Sequence, residues 1–365
     1  MTDEGAALVV GATGVTGTPI VEELLTRGWK VYALSRRLPE LRAGTPCARI
    51  VHLPVDLVDP ASAGPALRAV SDVSHIFHCA NAGSAPARLR MLELLLAAFE
   101  ASPRLANINA IQGMKYYGGH LGPFKVPAEE TDPRVPGCDF YYAEEDLIMA
   151  RQAGRAWTWT ALRPHSVCGY AAGNPMNLAV VLAIYGSLLA AKGDAFAFPG
   201  VAPCFSSLFQ VVDDRLLARA AIHVSTTLGC GNRAYNINNG DVFRWHDLWP
   251  RLAAFLGLEP AGPTGEMLSD FLGRNADAWA AITRAHALRP FPYERVPHWA
   301  RGDYTPPNSR LACSYDIVAD TGRLRATGFT DVLDSGEMFL GIFQRLVDER
   351  VIPTPPRRHH KDDPA

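Results

Sequence analysis

Residues 139–147 read DFYYAEEDL: two phenols stand side by side, and three carboxylates follow within a helical turn. A phenol is a weak acid, and near neutral pH it donates a proton effectively when a neighbouring cation favours its ionised form. On a helix a residue four positions on lies along the same face, so a cation there could play that part. Those positions after Tyr141 and Tyr142 hold Glu145 and Asp146, and none of the 11 tyrosines is followed four residues later by lysine. Upstream, the apolar segment LANINA (105–110) runs into IQGMKYYGG (111–119), which carries Lys115. If LANINA is a strand of an open α/β sheet, its carboxyl end faces the cleft where such sheets build active sites. A lysine there and a tyrosine opening the next helix can meet across that cleft. The expectation is a displaced cation, Lys115, working with Tyr141 or Tyr142; Lys125 is the nearest other candidate.

A second constellation is GATGVTG (11–17). It follows the apolar run ALVVGA (6–11) and opens the helical pattern GTPIVEELLTR (17–27). Glycines at 11, 14 and 17 allow a tight turn, a close approach of backbone to pyrophosphate, and a helix N-terminus aimed at the phosphates. Gly11, Thr13, Gly14, Val15, Thr16 and Gly17 are therefore expected to hold a dinucleotide. The second apolar segment, KVYALS (30–35), ends in Ser35-Arg36-Arg37 with no acid to take a ribose 2′-hydroxyl. A hydroxyl and two guanidinium groups suit a 2′-phosphate, so the expected cofactor is NADPH. Asp56 and Leu57 stand where such folds contact adenine; Asp59-Pro60 reads equally as a turn.

These residues need a frame. Apolar segments at 6–11, 30–35, 48–54, 75–80, 105–110 and 158–163 alternate with helical patterns at 17–27, 62–70, 87–101 and 141–153. That alternation predicts an α/β fold: a Rossmann-type doubly wound parallel sheet. Beyond residue 168 it lapses into helical patterns at 174–191, 212–224, 245–256, 266–288 and 334–349, an irregular 196–210, and one further strand with a turn at 233–241. The expected division is a dinucleotide domain over 1–168, with 231–246 returning to it. A smaller, mostly helical substrate domain would be built from 169–230 and 247–353, followed by a disordered tail, 354–365. No internal repeat occurs.

Bulk properties narrow the function classes. The chain has 365 residues, 48% hydrophobic, and a net charge of −2, which suits an enzyme with a large core and gives no long-range pull on nucleic acid or an anionic membrane. No apolar run approaches a membrane span and no signal peptide precedes the first strand. Seven scattered cysteines, never spaced C-x-x-C, read as reduced thiols in a cytoplasmic protein. No metal-ligand spacing is present. The paired His359-His360 is read as solvated. His78, His120 and His165 are candidates to line the pocket, while Glu144, Glu145 and Asp146 read as first-turn acids that complement a helix dipole.

GMKYYGGHLGPF (113–124) followed by DFYYAEED (139–146) resembles the progesterone 5β-reductase/iridoid synthase-like group of atypical short-chain dehydrogenases. In that group a lysine in G-x-K-x-Y…G-P-F and a tyrosine in N-F-Y-Y-x-x-E-D form the catalytic pair. The resemblance continues through Leu162-Arg163-Pro164, Cys168-Gly169-Tyr170, Pro175-Met176-Asn177, YNINNGDVFRW (235–245), DTGRLRATGF (320–329) and RVIP (350–353), nearly the whole chain. It implies Lys115 and Tyr141 as the pair, with Tyr142 the lesser candidate. Cofactor contacts are expected to extend to Ala80, Asn81, Tyr141, Pro164, Val167 and Met176, and substrate contacts to Asn81, Met176 and Asn177. This chain departs from the group with Asp139 for its Asn, Leu162 for its His, Cys79-Ala80-Asn81-Ala82 where a Trp is usual, and an inserted Gly118-Gly119-His120. The implied reaction is NADPH-dependent reduction of an activated C=C bond in a small molecule, by a homodimer. The alternatives are a carbonyl reductase or epimerase of the extended dehydrogenase class, and an NADP-binding sensor without catalysis. The missing lysine four after tyrosine, and the absence of Ser or Thr from 105–114, argue against an epimerase.

Overall fold

A computed structural model describes residues 5–80, 84–137, 139–171, 178–297, 311 and 313–356. Seven parallel strands form the central sheet: β1 (Ala6–Val10), β2 (Lys30–Leu34), β3 (Ile50–Leu53), β4 (His75–His78), β5 (Asn107–Ile111), β6 (Thr158–Pro164) and β7 (Arg233–Ile237). Their order is β7-β6-β5-β4-β1-β2-β3, which is doubly wound outward from β1. β1, AALVV, is buried throughout, as a central parallel strand covered on both faces requires. Its alternate residues feed two different cores. Leu8 and Val10 face α2 (Pro60–Arg68), α3 (Ala85–Phe99) and α4 (Asp139–Gln152), while Ala7 and Val9 face α1 (Gly17–Thr26).

The expected division needs one correction. The helix Asp214–Thr226, inside the segment assigned to the substrate domain, packs on the sheet instead. Its Leu216, Leu217, Ala220 and Val224 share a core with Ile20 and Leu24 of α1. The cause is amphipathic spacing that supplies the second helix this sheet face lacked. The strand Arg233–Ile237 then pairs with β6, Ala234 opposite Ala161.

The remaining helices make a third core. α5 (Leu178–Lys192) is buried from Leu178 to Leu189, apolar on all sides because helices surround it. Trp249, on the helix Trp245–Phe255, stacks on Phe196 with ring centroids 4.2 Å apart, and Phe339 and Phe343 of Ser335–Asp348 complete the cluster. This core reaches the carboxyl edge of the sheet at Met114, Tyr116, Tyr117 and Tyr142. The expected single helix over 266–288 is two, Leu268–Arg274 and Ala276–Ala285, divided at Asn275. The segment expected to be irregular, 196–210, holds short elements, Phe196–Phe198, Ala202–Ser206 and Leu208–Phe209.

Among the described residues no helix is long and apolar enough to cross a membrane, and no group of side chains is arranged to hold a metal ion. Among the described cysteines, the Cys313 thiol donates to the Cys204 sulfur at 3.5 Å. The expected disordered tail lies outside the described residues beyond position 356.

Candidate active site

β5 and β6 end side by side, and the chain leaves β5 through Gln112-Gly113 into a 3₁₀ turn, Met114–Tyr117. Half-buried Tyr141, in the first turn of α4, lays its ring over this exit. A methyl group added at Gly113 would come within 3.1 Å of the Tyr141 hydroxyl and 3.5 Å of the Pro164 carbonyl oxygen. The hydroxyl therefore rests close to the Gly113 backbone at the carboxyl edge of the sheet. Tyr142 is placed differently. It is buried, its ring packs edge-on to Tyr116 at 4.7 Å, and its hydroxyl donates to the Tyr116 carbonyl at 2.6 Å while accepting the Val135 N–H at 2.8 Å.

The acids that follow are not a solvated first turn. Glu144 and Glu145 are buried, and Asp146 alone of the three is exposed, paired with Arg134. Burial drives the Glu145 carboxyl up, but the Arg163 charge and hydrogen bonds from Gln112, Arg163 and Tyr116 hold it below its ordinary value. Arg163 donates to Glu145 at 2.9 Å, to Gln112 at 2.9 Å and to the Tyr117 hydroxyl at 3.1 Å, with its guanidinium 3.3 Å from the centre of the Tyr116 ring. The Tyr117 hydroxyl in turn donates to Asn236 on β7 at 2.6 Å. This network ties the 3₁₀ turn to β6, β7 and α4, and so fixes the height of Lys115 above the sheet. Glu144 takes Arg88 of α3 in two hydrogen bonds, 2.7 and 2.9 Å, with both side chains buried. The sequence carried a signal for Arg88 but not for its partner: Arg88 lies one turn before Met91 and Leu92 on the buried stripe of α3.

Lys115 is half-buried on the 3₁₀ turn that packs against α4. Its charge is felt by His120, whose pKa is lowered first by burial and then by Lys115. Lys125, the other lysine considered, is exposed and bridges Glu129 and Asp132. His165 is buried, edge-on to Phe209, with Nδ1 2.6 Å from the Gln210 carbonyl. His78, at the end of β4, is buried, and burial lowers its pKa to about 4.

At the first βα turn Gly11 adopts φ +82°, and a Cβ there would lie 2.9 Å from the Ala80 backbone, so both shape and contact demand glycine. A Cβ at Gly17 would collide with the Gly11 carbonyl. At Gly14 the same atom would meet only that carbonyl, at 3.3 Å, leaving an open face above the loop. Thr13, Val15 and Thr16 are half-exposed, and the N-cap Thr16 places no side-chain oxygen on the first N–H groups of α1. This cradle fits a pyrophosphate. Arg36 and Arg37 are exposed after β2. Ser35 is buried, and its hydroxyl donates to the Arg37 carbonyl at 2.6 Å, which shapes the loop that presents them. Asp56 accepts the Val58 N–H, Leu57 is buried, and Asp59 caps α2 as the turn reading expects. Pro164 ends β6, and Val167 sits just beyond it, paired to Val212. Asn81, Met176 and Asn177 lie outside the described residues.

Residues 67–293 match the PRISE-like Rossmann-fold domain, and residues 7–119 the NAD dependent epimerase/dehydratase family. The (S)-8-oxocitronellyl enol synthase of Antirrhinum majus is 26% identical over 377 positions, covering 96% of this chain and 94% of that protein. The 3-oxo-Delta(4,5)-steroid 5-beta-reductase of Arabidopsis thaliana is 28% identical, with coverage of 96% and 94%. Among solved structures, the UDP-N-acetylglucosamine 4-epimerase of Methanobrevibacter ruminantium M1 shares the fold with a TM-score of 0.67 at 15% identity, covering 96% of this chain and 100% of that one. The chain belongs to the PRISE-like Rossmann-fold family, oxidoreductases of the short-chain dehydrogenase/reductase superfamily that use a nicotinamide cofactor.

Proposed function

We propose that this protein is an NADPH-dependent reductase of an activated C=C bond, acting on a small enal or enone, with Tyr141 as hydrogen-bond donor and Lys115 as the cation that supports it. The observation that carries this reading is the Tyr141 hydroxyl set against Gly113 at the carboxyl edge of the sheet, while the neighbouring Tyr142 hydroxyl is bonded to the backbone at 116 and 135. The relatives named for reduction of a steroid enone and for an enol synthase lie in the same family.

Bound NADPH supplies the hydride, which goes to the carbon β to the carbonyl. Negative charge then collects on the carbonyl oxygen, and the Tyr141 hydroxyl donates to it where that charge is greatest. Lys115 favours loss of the phenolic proton by its positive charge. Arg36 and Arg37 are the residues that would hold the 2′-phosphate through charge-assisted hydrogen bonds. The Arg163–Glu145 network has no reacting role; it keeps the 3₁₀ turn fixed to the sheet. A panel of small enals, cyclic enones and a steroid enone, assayed for NADPH consumption with products identified by mass and NMR, tests the reading. Saturated carbonyl products support it, whereas allylic alcohols replace it with a carbonyl reductase.

A further inference from the structure

We propose that Arg88 and Glu144 are positioning residues for Tyr141: this buried ion pair holds a guanidinium against the phenol ring and sets how readily the Tyr141 hydroxyl releases its proton. The inference deepens the function above and rests on Tyr141 being the donor.

Three observations meet here. First, the pair is costly. Its side chains are 6% and 3% exposed, and two charges taken from water are a poor source of stability between helices that apolar residues could join equally well. Second, it is aimed. The Arg88 guanidinium carbon lies 5.3 Å from the centre of the Tyr141 ring, within cation–π reach, while two N–H groups are fixed by Glu144. Glu144 stands three residues after Tyr141, so one helix carries phenol and carboxylate on one face and α3 brings the guanidinium across. Third, the attraction is mutual. Burial works against the Arg88 charge, yet hydrogen bonding and charge from Glu144, and then the charge of Tyr141, raise its pKa above the ordinary value. The same attraction acts on the phenolate.

Few other charges compete. From β4 comes His78, neutral at assay pH because burial lowers its pKa to about 4, with neither ring nitrogen hydrogen-bonded among the described residues. From β6 comes Arg163, which is neutralised by Glu145, and Arg134 is taken by Asp146 at the surface. The 3₁₀ turn contributes Lys115. Arg88 carries its own counter-charge in Glu144. Removing Arg88 or Glu144 should move the phenol in opposite directions.

The test is NMR titration of the full-length protein with tyrosine isotopically labelled at Cζ, the Tyr141 signal being assigned by its loss in Tyr141→Phe. Arg88→Met should raise the Tyr141 midpoint and lower kcat on the order of tenfold, with the KM for NADPH within about twofold. Glu144→Gln should lower the midpoint, because it removes the opposing charge and leaves the cation. Arg88→Lys should return the midpoint most of the way to that of the parent. If the single variants do not fold, Arg88→Met/Glu144→Gln buries no bare charge, and its midpoint should lie above the parent's because the lost guanidinium is the charge against the ring. Midpoints that stay in place, or that move the same way in both single variants, overturn the proposal. The titration needs no turnover. Opposite shifts in a protein that reduces no enone would leave this inference standing and remove the proposed function; fixed midpoints in an active enone reductase would do the reverse.

Discussion

The Tyr142 hydroxyl donates to the carbonyl oxygen of Tyr116 at 2.6 Å. That bond separates two adjacent phenols that the sequence presents as equals. It fastens the start of α4 to the turn carrying Lys115, and it leaves Tyr141 as the phenol at the sheet edge. Tyr142→Phe should therefore be a stability variant. The buried Tyr116 carbonyl and the half-buried Val135 N–H lose a partner, and unfolding free energy should fall on the order of 1–3 kcal/mol with kcat changed only a few-fold. Tyr141→Phe should keep the denaturation midpoint and lower kcat on the order of 10²–10³-fold. Urea denaturation and steady-state rates on both variants check this, and exchanged effects would assign the donor to Tyr142.

Cofactor choice should follow Arg36 and Arg37, both exposed after β2 with no acid beside them to take a ribose hydroxyl. The parent should bind NADPH more tightly than NADH. Replacing both by Ala should abolish the preference while NADH binding stays near its original value. Equal affinities in the parent, measured by calorimetry or fluorescence, would contradict the assignment.

Lys115→Met keeps the length and loses the charge. It should lower kcat and move the alkaline limb of the rate profile to higher pH, because the phenol loses a cationic neighbour. Lys115→Arg should retain part of the activity. A kcat–pH series on the three proteins, with folding checked by circular dichroism, decides between this and a structural lysine whose loss leaves the profile unmoved.

Asp214 gives a pH effect on stability. Its carboxyl is buried against Gly169, and burial, with the neighbouring Asp213 charge, raises its pKa from 3.8 to about 7. A carboxyl group that binds its proton more tightly when folded contributes stability that is full below its unfolded pKa, near 3.8, and lost as pH rises through about 7. Asp214→Asn mimics the protonated acid at every pH. It should match the parent near pH 4 and exceed it above pH 7 by an amount on the order of 2–4 kcal/mol. A constant difference across that range, in denaturation curves at both ends, would show that Asp214 does not titrate there.

The frame was legible because its signals are local. Glycines at 11, 14 and 17 follow an apolar run, and strands alternate with helices up to residue 168. What stayed hidden depends on distant partners. Arg88 and Glu144 are 56 positions apart, and Glu144 in isolation reads as an ordinary acid near a helix start. The difference between Tyr141 and Tyr142 hangs on two backbone groups, at 116 and 135, that no periodicity reports. The helix Asp214–Thr226 has a plain amphipathic pattern, but nothing local says which of two cores its apolar face will join.

The central claim is the destination of the hydride. NADPH carrying deuterium at the transferred position should be incubated with an α,β-unsaturated ketone or aldehyde, and the product examined by NMR. The account predicts a saturated carbonyl compound with deuterium on the carbon β to the carbonyl, formed by the parent and nearly lost in Tyr141→Phe. Deuterium on a carbinol carbon, with the C=C bond intact, would contradict it.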